Sequence, residues 1–433
     1  MANTLTKKRL AWAFGLLVAL FAAVVATVWM LNVRGETPVT RVAPVAVPAS
    51  PAQIERGKYL AQAGNCISCH TVRGGPAYAG GRGIDTPFGA VYAPNLTSHA
   101  ETGMGNWSPD HFWRAMHHGR SKDGRLLYPA FPYTEYTHVT REDSDAIFAY
   151  LHSLPPVAQP NREHTLRFPY NNQWALAVWR ALFFTPGANT QNPHQSADWN
   201  RGAYLVQGLG HCVACHSPRN ALGASSLSRS LQGGIIPLQN WYAPGLTSSA
   251  QAGVADWPLE DVVALLKTGI APHGSVMGPM AEVVFNSTQH LSDADAHAMA
   301  VYLRALPQES IPAAHQRPAV PAPETMRLGA QVYDQQCAQC HGASGEGQAG
   351  AFPALADNRA VTMDPPINAV QAVLHGGYLP ATAGNPRPFG MPPFTHVLND
   401  AEVAAVLSFV RASWGNQAVP VTAIEVYKQR ESR

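Results

Sequence analysis

A mainly α-helical chain, with three tandem units behind one N-terminal membrane helix, is predicted by three observations. An uncharged run occupies Leu10 to Val33, one short cysteine motif occurs three times, and each occurrence lies between a Gly-containing helical stretch and an aromatic-faced one. The 433 residues suit roughly three domains of about 150 residues. Charged residues make up only 13%, about half the usual share, and 36 Gly with 36 Pro mark a chain rich in loops. A net charge of +2 with 46% hydrophobic residues excludes a basic nucleic-acid binder and an acidic disordered chain.

The first element follows from length and flanking charge. Lys7, Lys8 and Arg9 precede the apolar run and Arg34 closes it. About 20 apolar residues cross a bilayer as a helix, whereas the core of a cleavable signal is usually about 7–15 residues. Residues 1–34 therefore read as a cytoplasmic N-terminus and uncleaved anchor, with cleavage near Ala23-Val24-Val25-Ala26 as the alternative. The positive flank puts the rest of the chain outside the cytoplasm. Residues 35–51, rich in Pro, Val and Ala, read as a semi-extended tether.

All six cysteines fall in three Cys-x-x-Cys-His motifs: Cys66, Cys69 and His70; Cys212, Cys215 and His216; Cys337, Cys340 and His341. Two thiols at this spacing can form thioethers to the vinyl groups of one haem, and the adjacent histidine supplies the proximal iron ligand. A zinc ribbon would need its cysteine pairs brought together, and a thioredoxin-like site would need only one pair. One motif per domain-sized stretch instead predicts three covalent haems c, in domains spanning 52–155, 199–310 and 324–418. Residues 156–198 form a connector, 311–323 a linker and 419–433 a C-terminal tail.

The surroundings of the motifs repeat as well. Arg56-Gly57-Lys58-Tyr59-Leu60 corresponds to Arg201-Gly202-Ala203-Tyr204-Leu205, with a looser third copy at Leu328-Gly329 and Val332-Tyr333. Tyr92-Ala93-Pro94-Asn95-Leu96-Thr97 corresponds to Tyr242-Ala243-Pro244-Gly245-Leu246-Thr247, and Trp107 to Trp257. Thr140 ahead of Asp143, Ser292 ahead of Asp295 and Asn399 ahead of Glu402 predict capped starts for the closing helices. Ile147, Tyr150, Leu151 and Leu154 give the first of these an apolar face, as do Met299, Tyr302, Leu303 and Leu306 in the second and Val406, Phe409, Val410 and Trp414 in the third. Because a glycine lets two helices cross closely, the pattern resembles class I cytochromes c, in which the first and last helices pack together over a haem edge.

The distal iron ligand in such a fold is commonly a methionine from the loop before the last helix. Met391 in Gly390-Met391-Pro392-Pro393-Phe394 fits for the third unit, and Met280, ahead of its neighbour Met277, fits for the second. The corresponding loop of the first unit reads Tyr128-Pro129-Ala130-Phe131-Pro132-Tyr133, and Phe131 cannot bind iron. Met116, Met104, His117, His118 and His138 remain as candidates. A histidine there would put the first haem at a lower potential than the other two.

Within the connector, Trp174 to Phe184 forms an apolar, aromatic helix ending at Thr185-Pro186. It reads either as packing between the first two domains or as a face for a partner subunit, the bilayer or a quinone. Together with the three haem motifs, four elements resemble the triheme cytochrome c subunits of membrane-bound bacterial dehydrogenases. They are Tyr92-Ala-Pro-Asn-Leu-Thr97, Leu166-Arg-Phe-Pro-Tyr-Asn171, Gly278-Pro-Met-Ala-Glu-Val-Val284 and Ser413-Trp414-Gly415.

The resemblance implies an electron-transfer subunit, not itself an enzyme, that passes electrons from a catalytic subunit through three haems to ubiquinone. It also implies single-pass insertion in the bacterial inner membrane with the haem domains in the periplasm. Phe131 and the long anchor favour a molybdopterin aldehyde dehydrogenase partner with a small iron-sulfur subunit. The alternatives are a quinoprotein alcohol dehydrogenase or a flavoprotein sugar or gluconate dehydrogenase, and, further off, a haem peroxidase or an oxidase-linked shuttle.

Overall fold

A computed structural model describes residues 2–37, 39, 49–309 and 320–431. Most of the expected tether and linker therefore lies outside the described residues. The N-terminal helix runs Ala2–Val33, and its Lys7–Val33 portion is long and apolar enough to cross a membrane.

Three pairs of crossing helices follow. Pro51–Ala63 packs on Arg141–Ser153, Ala197–Ala203 on Asp293–Arg304, and Pro323–Gln336 on Asp400–Ala412. A glycine sits at each crossing. A β-carbon on Gly57 would overlap the Ala146 carbonyl oxygen, one on Gly202 that of Ala298, and one on Gly329 that of Ala405. The expected role of these glycines is thus met by backbone against backbone, an approach no side chain permits.

The closing helices start where their caps predict. Thr140 Oγ1 accepts from Asp143 N at 3.3 Å, Ser292 Oγ from Asp295 N at 3.1 Å, and Asn399 Oδ1 from Glu402 N at 3.0 Å. Of the three acids, Glu402 also folds back onto its cap residue, accepting from Asn399 N at 2.9 Å. The two aspartates have another use. Asp143 pairs with Arg56 of its own unit and accepts from Tyr204 Oη of the second unit at 2.7 Å. Asp295 pairs with Arg201 at 2.7 Å and accepts from Tyr59 Oη of the first unit at 2.6 Å. Each Arg-Gly-x-Tyr segment therefore holds its own closing helix by the arginine and its neighbour's by the tyrosine. The third copy has Leu328 and Gln331 at these positions, and it takes no part in the exchange.

Core packing follows the same division. Leu60, Ile147 and Leu151 of the first unit lie in one continuous apolar cluster with Leu205, Leu209, Val262 and Met299 of the second. Tyr204–Leu209 is π-helical, which widens the turn at this shared surface. The third unit has a core of its own around Val370, Leu374, Val403 and Val406. The residues expected as a C-terminal tail belong to that core. Val421 and Val426 are buried in it, and the helix Ala423–Glu431 is held by Arg430, which bonds Asp400 at 2.7 Å and Leu398 O at 2.9 Å. Polar residues dominate this helix in sequence, which is why it reads as a tail.

The connector also joins the fold early. Thr165–Leu166 adds a third strand to the first unit's hairpin of Gly83–Thr86 and Gly89–Tyr92.

One pH-dependent consequence follows from the exchange. Burial alone would raise the Asp295 carboxyl, but hydrogen bonds from Arg201 and Tyr59 offset this and hold it below the usual carboxylate range. A carboxyl whose folded value lies below its unfolded value of about 3.9 contributes fully above that pH, and its contribution is lost as pH falls through the folded value. Tyr59→Phe is therefore expected to move the acid-unfolding midpoint to higher pH and to reduce stability at neutral pH by on the order of 1 kcal/mol. Acid titration followed by circular dichroism checks this, and an unchanged midpoint would refute it.

Candidate haem sites and the family

Each Cys-x-x-Cys-His motif forms a single helical turn. The turns are Cys66–His70, Val213–His216 directly after Cys212, and Ala338–His341 directly after Cys337. None of Cys66, Cys69, Cys212, Cys215, Cys337 and Cys340 is joined to another in a disulfide. Burial pushes Cys66 and Cys212 up to about 12 and Cys337 up to about 11. Burial thus disfavours the thiolate that a redox-active cysteine requires. Among the described residues no group of three or more His, Cys, Asp or Glu is placed to hold a metal ion.

The histidines show what the repeated Tyr-Ala-Pro element does. His70 Nδ1 lies 2.8 Å from Pro94 O, His216 Nδ1 2.7 Å from Pro244 O, and His341 Nδ1 3.0 Å from Pro353 O. A carbonyl can only accept, so Nδ1 carries the proton and Nε2 keeps its lone pair. Burial lowers all three imidazoles, His70 to about 4, with the carbonyl contacts partly opposing it. A neutral imidazole with a fixed ring and a free Nε2 suits axial ligation of iron. The donor set of two thiols and one oriented imidazole per turn fits a covalently attached haem. Sequence reading singles out Pro94 and Pro244 as repeated residues, but their role as imidazole acceptors appears only in three dimensions.

The distal candidates separate by position. Met391 is on the short strand Gly390–Met391, paired with Gly377–Tyr378 and packed on the third core. Met280 lies in the first turn of Pro279–Asn286, after Gly278, whose φ of 59° and contact with the Trp241 ring leave no room for a side chain. Met277 instead faces the third unit, 3.8 Å from a β-carbon placed on Gly377.

In the first unit Phe131 packs on the shared core, its ring 5.4 Å from that of Tyr136. Met104 and Met116 are buried in the same core. They stand at the same distances from Trp107 as Val254 and Leu266 do from Trp257, and both of those are core residues too. Of the three histidines, two lie toward the connector: the His118 carbonyl accepts from Arg180 at 2.7 Å and His138 lies against Gly187, while His117 stacks on Trp113 of its own helix at 4.3 Å.

The first and second attachment turns face one another. Asn286 Nδ2 donates to Ser68 Oγ at 2.8 Å, Arg82 pairs with Glu282 at 2.5 Å, and His211, next to Cys212, reaches Gly64 O at 3.3 Å. The third unit joins the second through Arg359 with Asp256 at 3.0 Å, His273 with Asp357 at 2.7 Å, and Asn368 with the Tyr242 backbone at 2.7 and 2.9 Å.

Helix pairs crossing at glycine, with a Cys-x-x-Cys-His turn after the first helix and an oriented histidine, define a c-type cytochrome. Comparison with known proteins agrees. The cytochrome c family pattern matches residues 54–155 and 326–414. The cytochrome c subunit of the quinone alcohol dehydrogenase of Komagataeibacter europaeus is 38% identical over 401 residues, covering 89% of this chain and 85% of that one. The gluconate 2-dehydrogenase cytochrome c subunit of Pantoea cypripedii is 38% identical over 88% of this chain and 90% of its own. A nicotinate dehydrogenase subunit of Pseudomonas putida is 41% identical over 93% of this chain, which corresponds to only 34% of that longer protein.

The chain belongs to the family of cytochrome c subunits of quinone-linked dehydrogenases. It is thus an electron-transfer subunit carrying covalent haem c, and catalysis belongs to another subunit.

Proposed function

We propose that the chain holds three haems c, one in each of three cytochrome c domains, and passes electrons from a periplasmic catalytic subunit to ubiquinone in the inner membrane. The observation that carries this reading is the threefold repetition of one geometry, a Cys-x-x-Cys-His turn whose histidine Nδ1 is tied to a proline carbonyl. Haem c supplies one-electron redox chemistry, and the protein supplies ligation and position. His70, His216 and His341 are the proximal ligands. Met280 and Met391 are the distal ones and raise the potential of their haems. The first haem takes its sixth ligand, if any, from outside the Phe131 loop.

The N-terminal helix is retained as an anchor. Arg180 is 2% exposed, and its Nε donates to Asn32 Oδ1 at 2.9 Å. Arg120 reaches Glu36 at 2.8 Å and Asn32 O at 3.0 Å. These bonds fasten the end of the helix to the first unit, and retention is supported by the length of the apolar run, which exceeds the core of a cleavable signal.

The catalytic partner is of the molybdopterin class that oxidises aldehydes or N-heterocycles, with a small iron-sulfur subunit. Phe131, the anchor and the similarity to the nicotinate dehydrogenase protein support this choice over a quinoprotein or flavoprotein partner.

The test is purification from membranes with a pyridine haemochrome assay and identification of the co-purifying polypeptides. The expected result is about three haems per chain, falling by one in Cys212→Ala/Cys215→Ala, together with a molybdopterin subunit whose substrate reduces the haems. Two haems per chain in the unaltered protein would overturn the count, and a quinoprotein or flavoprotein partner would overturn the class.

A further inference from the structure

The connector helix Gln173–Phe183 is built inside out for a helix bathed in water. Its buried face carries Leu176 and Arg180, while Trp174, Val178 and Leu182, one stripe at four-residue spacing, are 71%, 47% and 64% exposed. Water-soluble helices turn the apolar stripe inward and the charge outward. The reverse arrangement, with the charge satisfied inside and apolar groups outside, is what a hydrocarbon surrounding requires. Arg180 meets that requirement through Asn32 and the His118 carbonyl, and its guanidinium lies over the rings of Tyr133 and Phe184 at 5.1 and 4.7 Å.

The position of the helix agrees. Asn32 Nδ2 donates to Ala177 O at 2.9 Å, which joins the connector helix to the end of the anchor. Beside this joint a groove of about 360 Å³ runs between Ala23, Thr27 and Leu31 of the anchor and Val178, Ala181 and Leu182 of the connector. From Ala23 to Leu31 a helix rises about 12 Å, most of one leaflet's hydrocarbon depth of roughly 15 Å. If the anchor spans the bilayer, the stripe beside it stands at leaflet depth and continues the anchor's lipid-facing surface.

We propose that the connector helix is seated in the outer leaflet, with phospholipid acyl chains covering Trp174, Val178 and Leu182 and filling the groove. This inference rests on the anchor reading given above. It makes the first haem unit a membrane-embedded part of the molecule, not a body swinging on a tether, because Arg114, Arg120 and the His118 carbonyl bind the same joint.

The test uses the full haem-loaded chain in native membranes, with the photoreactive residue p-benzoylphenylalanine placed singly at Val178, Leu182, Phe21 or Leu227. Phe21 on the anchor is the positive control. Leu227, an exposed apolar residue of the second unit, is the negative one. After irradiation, mass spectrometry identifies the adduct, and the haem spectrum confirms that each variant is folded.

Phospholipid adducts at 178 and 182 in yield comparable to Phe21, and several-fold above Leu227, are the expected result. An adduct with a polypeptide at 178 or 182 would overturn the proposal in favour of a subunit interface. An adduct with an isoprenoid quinone in place of phospholipid would overturn it in favour of a quinone-tail site. Lipid adducts at Phe21 but none at 178 or 182 would overturn it while leaving the anchor intact. No lipid adduct at Phe21 would remove the anchor reading and the proposal together.

Discussion

Replacing Gly57 by alanine is expected to break the first helix crossing and, with it, the core shared by two units. The added β-carbon would overlap the Ala146 carbonyl oxygen and lie 2.9 Å from Tyr150 Cβ. Both obstacles belong to a helix backbone or its first side-chain atom, so no flexible group can swing aside and the helices must separate. Overpacking of this kind costs about 1–3 kcal/mol and more when backbone is displaced. Alanine's better helix propensity returns about 1 kcal/mol at most. The net loss falls on Leu60 and Ile147, buried between the helices and in contact with the second unit's cluster. Denaturant unfolding followed at the haem bands should therefore show destabilisation of about 2 kcal/mol or more, shared by the first two haems. Gly15→Ala, where nothing lies within 4 Å, is the matching control. Equal stability of the two variants would refute the role assigned to Gly57.

A second large effect is expected at Arg411, whose side chain is fully buried in the third unit. Its guanidinium donates to Val361 O at 2.6 Å, Met363 O at 2.8 Å and Val419 O at 2.9 Å, and pairs with Asp364 at 2.6 Å. One residue of the closing helix thus holds both the loop around 361–364 and the segment leading to the final helix. Arg411→Met keeps much of the length but leaves three carbonyls and a carboxylate without their donor. Removing one partner of a buried pair costs about 3–5 kcal/mol. Because the third core is separate, the loss should stay local. The third haem should lose its distal methionine ligand while staying attached, and the 419–431 segment should be cleaved by protease, at denaturant concentrations where the first two units remain intact. Simultaneous loss of all three units would contradict the division of the cores.

The attachment chemistry and the helix frame are legible in the sequence because both rest on local spacing. Cys-x-x-Cys-His is confined to one turn, and a capping residue acts within three positions. What the sequence withholds is long-range. Asp143 and Asp295 have the spacing of capping boxes, yet two arginines and two tyrosines from distant segments claim them. Arg180 looks out of place in an apolar helix until Asn32, at the far end of another element, supplies its acceptor. The Tyr-Ala-Pro repeat is visible in the sequence, but the hydrogen bond that explains it spans 24 residues in one copy and 28 in the other. No periodicity encodes pairings at such separations.

The tyrosine exchange between Asp143 and Asp295 has the form of an isologous contact: residue i of one copy meets residue j of the other, and j meets i in return. The first two units are thus arranged as a homodimer written into one polypeptide, with the third appended outside its symmetry. Deleting one would strip its twin of a tyrosine and of the apolar contacts of the shared cluster, so the two are expected to fold only together. It also means that a substitution in one Arg-Gly-x-Tyr segment registers in both haem environments at once.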